Sequence, residues 1–362
     1  MLASSLTSSR NLELAWRRIV TGRNMQYKRF FRPIYMAYEV AHRDNIGRLQ
    51  QRLDGSWRPT HPTKIFLPKP SGLQRPISLL GLEDQIVLQA VANIFAAKLY
   101  ARRKRVEGNV VFSNLLGEPS SSVFFLEDWH QTYAGFQTRC LHHYRDGYRW
   151  VAHFDLAAFY DTVSHNLLIR RVSPRGADER IWNRVRGWLS AWSTSDIRAT
   201  IQHGIPQGPI ASDFLAECLL LPLDEAMMRQ GVRYVRYVDD IRIFGRSMIE
   251  TQGAALRLDV LCRDLGLIPQ ATKFSIEEAE TPRQVLGILP SLAPPDRMEP
   301  GGPVDQMDEP EAVRQFSRAI AGRPTRIVDK STARYVLYRA PRSTRILTQV
   351  LHLLPRDRKS VV

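Results

Sequence analysis

The sequence predicts an α+β fold, and three observations carry that expectation. Segments with apolar residues at helical spacing alternate with short apolar runs that turn back on themselves. The stretch RYVRYVDDIRIFG, residues 233–245, reads as two strands that turn at Asp239 and Asp240. The stretch WVAHFDLAAFYDTVSH, residues 150–165, starts as an apolar strand, ends it with a single acid, Asp155, and then turns helical.

The other elements follow in order. Residues 11–22 place Leu12, Trp16 and Val20 at helical spacing. Tyr27 to Leu53 continues as a second helical region, with Phe30, Ile34, Ala37 and Tyr38 on one side. KIFLPKPSGLQRPISLL, residues 64–80, is a strand, a turn at Pro70, Ser71 and Gly72, and a strand. Helical spacing returns over 83–99 through Ile86, Leu88, Val91 and Phe95. Residues 101–148 hold a basic cluster, Arg102 to Arg105, and scattered aromatics, with no assignable period. Trp182, Val185, Trp188 and Leu189 mark the next helix. GIPQGPIASDFLAECLLLPLDEAMM is a glycine-proline loop entering a helix that begins near Ser212 and ends before Gly231. Residues 251–266 form an amphipathic helix through Leu256, Leu258, Leu261 and Leu265, and GLIPQATKF and VLGILP are short extended pieces. Residues 290–310, with six prolines and a Gly-Gly pair, read as a linker. Beyond it Val313, Phe316 and Ile320 mark a helix. The tail from Arg323 to Lys359 has ten basic and two acidic residues. Its apolar residues, Val336, Leu337, Ile346, Leu347, Val350 and Leu351 among them, have helical spacing and hint at paired short helices.

Composition narrows the function classes. In 362 residues, 51 Lys and Arg outweigh 36 Asp and Glu, giving a formal charge of +15. Such a balance favours a polyanionic partner, nucleic acid first and an acidic membrane surface second. The three cysteines are far apart and make no Cys-x-x-Cys, so a disulfide framework or cysteine zinc site is not supported and a reducing cytoplasm fits best. The histidines make no HExxH; the adjacent His142 and His143 read as surface or core residues. The first twenty residues lack the apolar core of a signal peptide. The richest apolar run, LAECLLLPLDEAMM, is interrupted by Glu217 and Asp224, so no membrane span is expected.

Adjacent carboxylates repel each other and resist burial. Divalent cations resolve the conflict, because Mg²⁺ takes hard oxygen ligands and binds through one or two carboxylates plus substrate phosphates. Two such ions about 3.5–4 Å apart activate one oxygen and stabilise the leaving one. They need a further carboxylate at the end of a neighbouring strand, and Asp155 meets that description. Either feature alone is ordinary: a lone Asp at a strand end is usually a turn or N-cap residue, and paired aspartates in a hairpin turn are usually solvated. The combination carries the argument.

The order F-D-x-x-x-F-Y-D, then G-I-P-Q-G-P, then Y-V-D-D resembles the palm of reverse transcriptases, and the upstream LPKPSGLQRPI is similar to the finger hairpin of their bacterial branch. The resemblance covers about residues 60–290. It implies an α+β right-hand polymerase, with an antiparallel palm sheet carrying helices on one face, fingers, and a small helical thumb. The matching domains are an N-terminal helical region at 1–59, fingers and palm at 60–289, the proline-rich linker at 290–310 and a basic helical thumb at 311–362.

The resemblance also implies roles. Asp155, Asp239 and Asp240 match the catalytic, metal-binding carboxylates, with the carbonyl of Leu156 facing a metal. Tyr160 matches the position whose ring crowds a 2′-hydroxyl; a core aromatic is the plainer reading. Gln207 and Gly208 match the loop under the templating pair. Lys69 and Arg75 match finger residues that grip the triphosphate. Lys273 matches a palm lysine near the triphosphate, VLGILP around Gly287 the primer-grip hairpin, and Asp161 a frequent family acid read here as structural.

The implied reaction is RNA-directed DNA synthesis with two Mg²⁺ ions, or Mn²⁺ as a substitute. It takes an RNA template, a nucleic-acid or protein primer, and dNTPs. A non-coding RNA or an accessory protein is a further candidate partner, and the oligomeric state stays open. No nuclease-like or cysteine-rich module follows the palm, and the basic helical tail resembles that of abortive-infection and other defence-associated enzymes. A role in bacterial antiphage defence is therefore the leading expectation. A group II intron-like enzyme acting on a structured RNA is one alternative, and a non-catalytic RNA-binding scaffold is another.

Overall fold

A computed structural model of the chain describes residues 5–21, 25–53, 55–68, 74–173, 179–286, 308–321, 326–327, 333, 336–337 and 343–353. It divides into two compact units, residues 1–65 with 76–286, and residues 66–75 with 287–362.

The first unit opens with α1 (Ser9–Thr21), α2 (Met25–Arg29), α3 (Arg32–Glu39) and α4 (His42–Leu53). The single helical region expected over Tyr27 to Leu53 is thus three helices. Pro33 sits in the first turn of α3, where its missing N–H costs nothing but its ring forbids continuation of the preceding helix. Next come β1 (Thr63–Pro68) and β2 (Gln74–Leu79), which pair as a two-stranded sheet, and α5 (Leu82–Val106), which runs well past the expected end. α5 is buried nearly all round and packs against α1 through Leu12, Ala15 and Trp16. Two of its buried polar residues, Asp84 and Asn93, are well partnered. Asp84 accepts from the Thr60 N–H at 3.0 Å and from Trp192 Nε1 at 2.8 Å, and Asn93 accepts from Arg18 at 2.6 Å.

The stretch that resisted assignment contains α6 (Trp129–Arg145). Asp128 caps it by accepting from the His130 N–H, and Thr132, Phe136, Cys140 and His143 form its buried face. After α6 come β3 (Trp150–Phe154), β4 (Leu156–Ala157), α7 (Phe159–Thr162), α8 (His165–Arg170), α9 (Glu179–Ser193) and α10 (Ile210–Arg229). Then follow β5 (Arg233–Tyr237), β6 (Asp240–Gly245), α11 (Met248–Asp264), β7 (Ile268–Pro269), β8 (Ser275–Glu278) and α12 (Pro282–Val285).

The central sheet has the order β5-β6-β3-β8, with every neighbouring pair antiparallel. Helices cover both of its faces, not one. Ala152, Tyr234, Ile241 and Ile243 face the main core with α10 and α11, whereas Val151, Val235 and Phe244 face Phe136 and Cys140 of α6. The period-two alternation of these strands leaves an apolar row on each side, so both sides need cover. α6 supplies the second cover.

Two further expectations change. α11 buries Thr251, Ala254, Ala255, Leu258 and Cys262, while Leu256 is 61% exposed. Leu256 and Leu258, two residues apart, cannot share a helix face; the small residues at 251, 254 and 255 form the true face and let the helix approach the sheet closely. Val285, expected to be extended, ends the short helix α12, which Thr281 and Gln284 cap reciprocally. Residues 287–307, with Gly287 and most of the proline-rich linker, lie outside the described residues. All three cysteines are buried free thiols, and no described helix is long and apolar enough to cross a membrane.

In the second unit, α13 (Glu309–Ala319) is capped by Asp308 and buries Ala312, Phe316 and Ala319. These pack with Val336 and with Ile346 and Leu353 of α14 (Thr344–Leu353). Leu347 and Leu351 are exposed, so the buried face of α14 is narrower than the apolar pattern suggests. Ile320 leaves the helix and enters β9 (Ile320–Ala321), which pairs antiparallel with β10 (Arg326–Ile327).

Candidate active site

Strand register determines where the acids lie. β3 and β6 pair Phe154 with Ile241, so the next step along both strands reaches Asp155 and Asp240. β5 and β6 pair Tyr237 with Asp240, which leaves Val238 and Asp239 as the two turn residues. Val238 has φ +57°, in the left-handed region that hairpin turns normally give to glycine, asparagine or aspartate. Its surroundings hold it there. The Val238 N–H donates to Ser113 Oγ at 2.7 Å, and its carbonyl accepts from Arg236 Nη1 at 2.9 Å.

Beneath the turn lies a buried ionic network that sequence reasoning missed. Glu217 accepts from Ser113 at 2.6 Å, from Arg236 at 2.7 Å and from Arg103 at 3.3 Å. Asp224, two turns along α10, accepts from Arg236 at 2.7 Å and from Tyr234 at 2.8 Å. In the sequence these acids only interrupt an apolar run. Their seven-residue spacing, which puts both on one helix face, is the signal of a shared partner. The arginines hold Glu217 below its ordinary pKa against the opposing effect of burial.

The three turn and strand-end carboxylates have different neighbours. Lys273, in a short 3₁₀ turn over Ala271–Lys273, forms an ion pair with Asp155. Arg242 pairs with Asp240 at 3.2 Å. Arg242 is itself buried, donates to the Val285 carbonyl at 2.6 Å and stands over the Phe136 ring at 5.1 Å. Asp239 is pushed up to about 6 by burial and then by the charge of Asp155, with Lys273 opposing. Asp155 is therefore close enough to crowd Asp239 electrostatically.

The donor chemistry fits a hard divalent cation, because carboxylate oxygens crowded by like charge are what such an ion neutralises. The carboxylates do not form a closed cage on their own. Among the described residues, no group of three or more His, Cys, Asp or Glu is gathered tightly enough to hold an ion. Lys273 and Arg242 balance the outer two acids instead.

Asp239 carries a pH prediction. Its folded-state pKa lies above the ordinary value of 3.8, so the folded chain binds more protons than the unfolded chain between about pH 4 and 6. Without divalent cations, stability therefore falls as pH rises through that window. Asp239→Asn should melt higher than the native chain at pH 7, and the gap should close near pH 4. Thermal melts in EDTA at both pH values check this; equal gaps at the two would contradict it.

The remaining site residues divide by location. Leu156 is buried in β4, opposite Pro269 of β7, and the Asp155 carbonyl accepts from the Gln270 N–H at 2.8 Å. Tyr160 donates its hydroxyl to Asp213 at 2.6 Å, and its carbonyl accepts from the Ile205 N–H at 2.9 Å. The Gln207 carbonyl accepts from the Ser78 N–H of β2 at 2.8 Å. Asp161 is exposed, and its carbonyl accepts from His203 at 2.8 Å. Arg75 is exposed on β2, in the second unit, and Lys69 lies outside the described residues.

Gly208 has φ +130°, and a Cβ placed on it would lie 2.7 Å from the Tyr27 ring. That ring cannot easily yield, because the Tyr27 hydroxyl donates to the Ser78 carbonyl at 2.9 Å and accepts from the Leu80 N–H at 3.0 Å. Gly208→Ala should cost about 2–4 kcal/mol from backbone strain and overlap together. A urea titration checks it; a loss below about 1 kcal/mol would show that the loop and Tyr27 move apart freely.

A family model described as reverse transcriptase (RNA-dependent DNA polymerase) matches residues 67–289, more than half of the chain. Among curated proteins, Protein YkfC of Escherichia coli (strain K12) is 25% identical over 178 residues, covering 48% of this chain and 42% of that protein. The chain thus matches less than half the length of that relative. Among solved structures, telomerase from Candida albicans in complex with the TWJ fragment of telomeric RNA aligns at a TM-score of 0.43 and 11% identity, over 61% of this chain and 43% of that one. Apo telomerase from Candida tropicalis aligns at a TM-score of 0.39 and 11% identity, over 62% and 46% of the two chains.

Proposed function

This chain belongs to the reverse transcriptase (RNA-dependent DNA polymerase) family, and from that membership we propose that it copies RNA into DNA by nucleotidyl transfer at Asp155, Asp239 and Asp240. The observation that carries the site is the strand register, which sets Asp155 beside Asp240, with Asp239 in the turn between β5 and β6 crowded by the charge of Asp155.

Asp155, Asp239, Asp240 and the Leu156 carbonyl would hold two divalent cations, Mg²⁺ or Mn²⁺ in its place. When bound, such ions activate the primer hydroxyl and neutralise the departing pyrophosphate. The residues around them have their own tasks. Lys273 balances Asp155 until nucleotide arrives, then offers its charge to the triphosphate. Lys69 and Arg75 grip the triphosphate from the hairpin. Gln207 and Gly208 present backbone beneath the templating pair, and only glycine fits at 208 because the Tyr27 ring takes the space of a Cβ. Tyr160 crowds a 2′-hydroxyl and so favours dNTPs. The substrates are an RNA template, a primer of nucleic acid or a protein hydroxyl, and dNTPs. The charge of +15 suits long contact with phosphate backbones. Residues 311–362 serve as the thumb.

The test is labelled dNTP and NTP incorporation by purified chain with Mg²⁺, with and without RNA template and primer, beside an Asp239→Ala, Asp240→Ala double variant. Template-dependent dNTP incorporation, lost in the variant, supports the reading. Equal incorporation by the variant would refute it. In the cell we place the chain in bacterial antiphage defence, in a reducing cytoplasm that suits three buried free thiols. Expressed with its native operon it should lower phage plaque counts, and Asp239→Ala should restore them.

A further inference from the structure

We infer that Asp213 is a positioning residue for sugar selectivity, holding the Tyr160 ring through its hydroxyl and so setting how strictly the chain rejects ribonucleotides. The inference rests on the reading of Tyr160 as the residue that crowds the 2′-hydroxyl.

Tyr160 is fixed at both ends. Its backbone carbonyl accepts from the Ile205 N–H at 2.9 Å, and its hydroxyl donates to Asp213 at 2.6 Å. Asp213 lies in the first turn of α10 and Ile205 in the loop just before it, so one loop-helix junction holds both the backbone of Tyr160 and the far end of its ring. The ring also meets Phe159 edge-on, with centroids 5.8 Å apart. A phenylalanine would supply the same bulk. What the hydroxyl adds is a direction, because a hydrogen bond at the ring's far end selects one rotamer out of those the backbone allows.

Asp213 sits where a carboxylate is costly. Burial pushes it up to about 7, and the charge of Glu217, four residues on, adds to the penalty. Placing an acid there is unfavourable unless its hydrogen bond serves a partner, and Tyr160 is the partner that lowers the cost. A purely stabilising pair would also explain the contact, so the test needs a readout that stability does not move.

That readout is the ratio of kcat/KM for a dNTP to that for the matching NTP, measured by single-nucleotide incorporation. The active fraction of a preparation cancels in the ratio, so partial misfolding cannot imitate an effect. Asp213→Leu and Tyr160→Phe should each lower the ratio by about tenfold, the scale of one buried hydrogen bond. Combining them should lower it no further, since both remove the same contact. Asp213→Asn keeps an acceptor and should stay within about threefold of the native ratio. Tyr160→Ala should collapse the ratio furthest. If Tyr160→Ala collapses it while Asp213→Leu and Tyr160→Phe leave it unchanged, the ring acts without Asp213 and the inference is overturned alone. If Tyr160→Ala also leaves it unchanged, the underlying reading of Tyr160 fails and takes the inference with it. Should Asp213→Leu not fold, Tyr160→Phe removes the same bond and decides the matter.

Discussion

Asp239→Asn should lose nucleotide incorporation by on the order of a thousandfold while the chain stays folded. The substitution keeps the size of the side chain and removes only its charge. That charge is one the fold tolerates poorly, since burial and Asp155 both push the Asp239 carboxyl up to about 6. A group so placed weakens the metal-free fold at neutral pH, and its presence needs a reason outside stability. The predicted combination separates chemistry from folding, because incorporation falls while the melting temperature in EDTA rises. Single-turnover incorporation and thermal melts on the same preparation check both halves. A variant that polymerises within tenfold of the native rate would remove Asp239 from the chemistry.

Glu217→Ala should destabilise the chain by about 3–5 kcal/mol, the cost of leaving buried charges without a partner. The carboxylate accepts from Ser113, Arg236 and Arg103, and both arginines are fully buried. Asp224 still holds Arg236 in the variant, but Arg103 keeps only its contacts to Glu107 and the Asn114 carbonyl. Ser113 loses the acceptor that orients it under Val238, so the strained turn beside Asp239 loosens as well. The urea midpoint should fall with little change in slope. Glu217→Gln keeps the shape and one acceptor, so it should fold better than Glu217→Ala yet incorporate nucleotides more slowly than the native chain. If Glu217→Ala unfolded at the native midpoint, the network would be ornamental.

Much of the site is legible in the sequence because it is local. The two aspartates between apolar strands, the single acid ending an apolar strand, and the glycine-proline loop before a helix each carry their signal within a few residues. What holds the site is not local. Ser113, Glu217 and Arg236 come from separate stretches, and only the fold brings them beneath Val238. Asp213 looks like one more polar residue near a helix start until the Tyr160 hydroxyl is seen on it. α6 escaped because its apolar face is made of Phe136, Cys140 and His143 among polar residues, a weak stripe at the right spacing. Among the leucines of α11, Leu258 is buried as expected but Leu256 misled for the opposite reason. The leucines are the strongest apolar signal in their segment, yet the helix turns its alanines to the sheet and leaves Leu256 in solvent.

Primer extension on an RNA of defined, mixed sequence, with Mg²⁺ or Mn²⁺ and all four dNTPs, tests the central claim most directly. DNA whose sequence is the complement of that RNA, absent with the Asp239→Asn chain, is the predicted result. Folded, RNA-bound chain that yields no product, or yields DNA unrelated to the template, would contradict it.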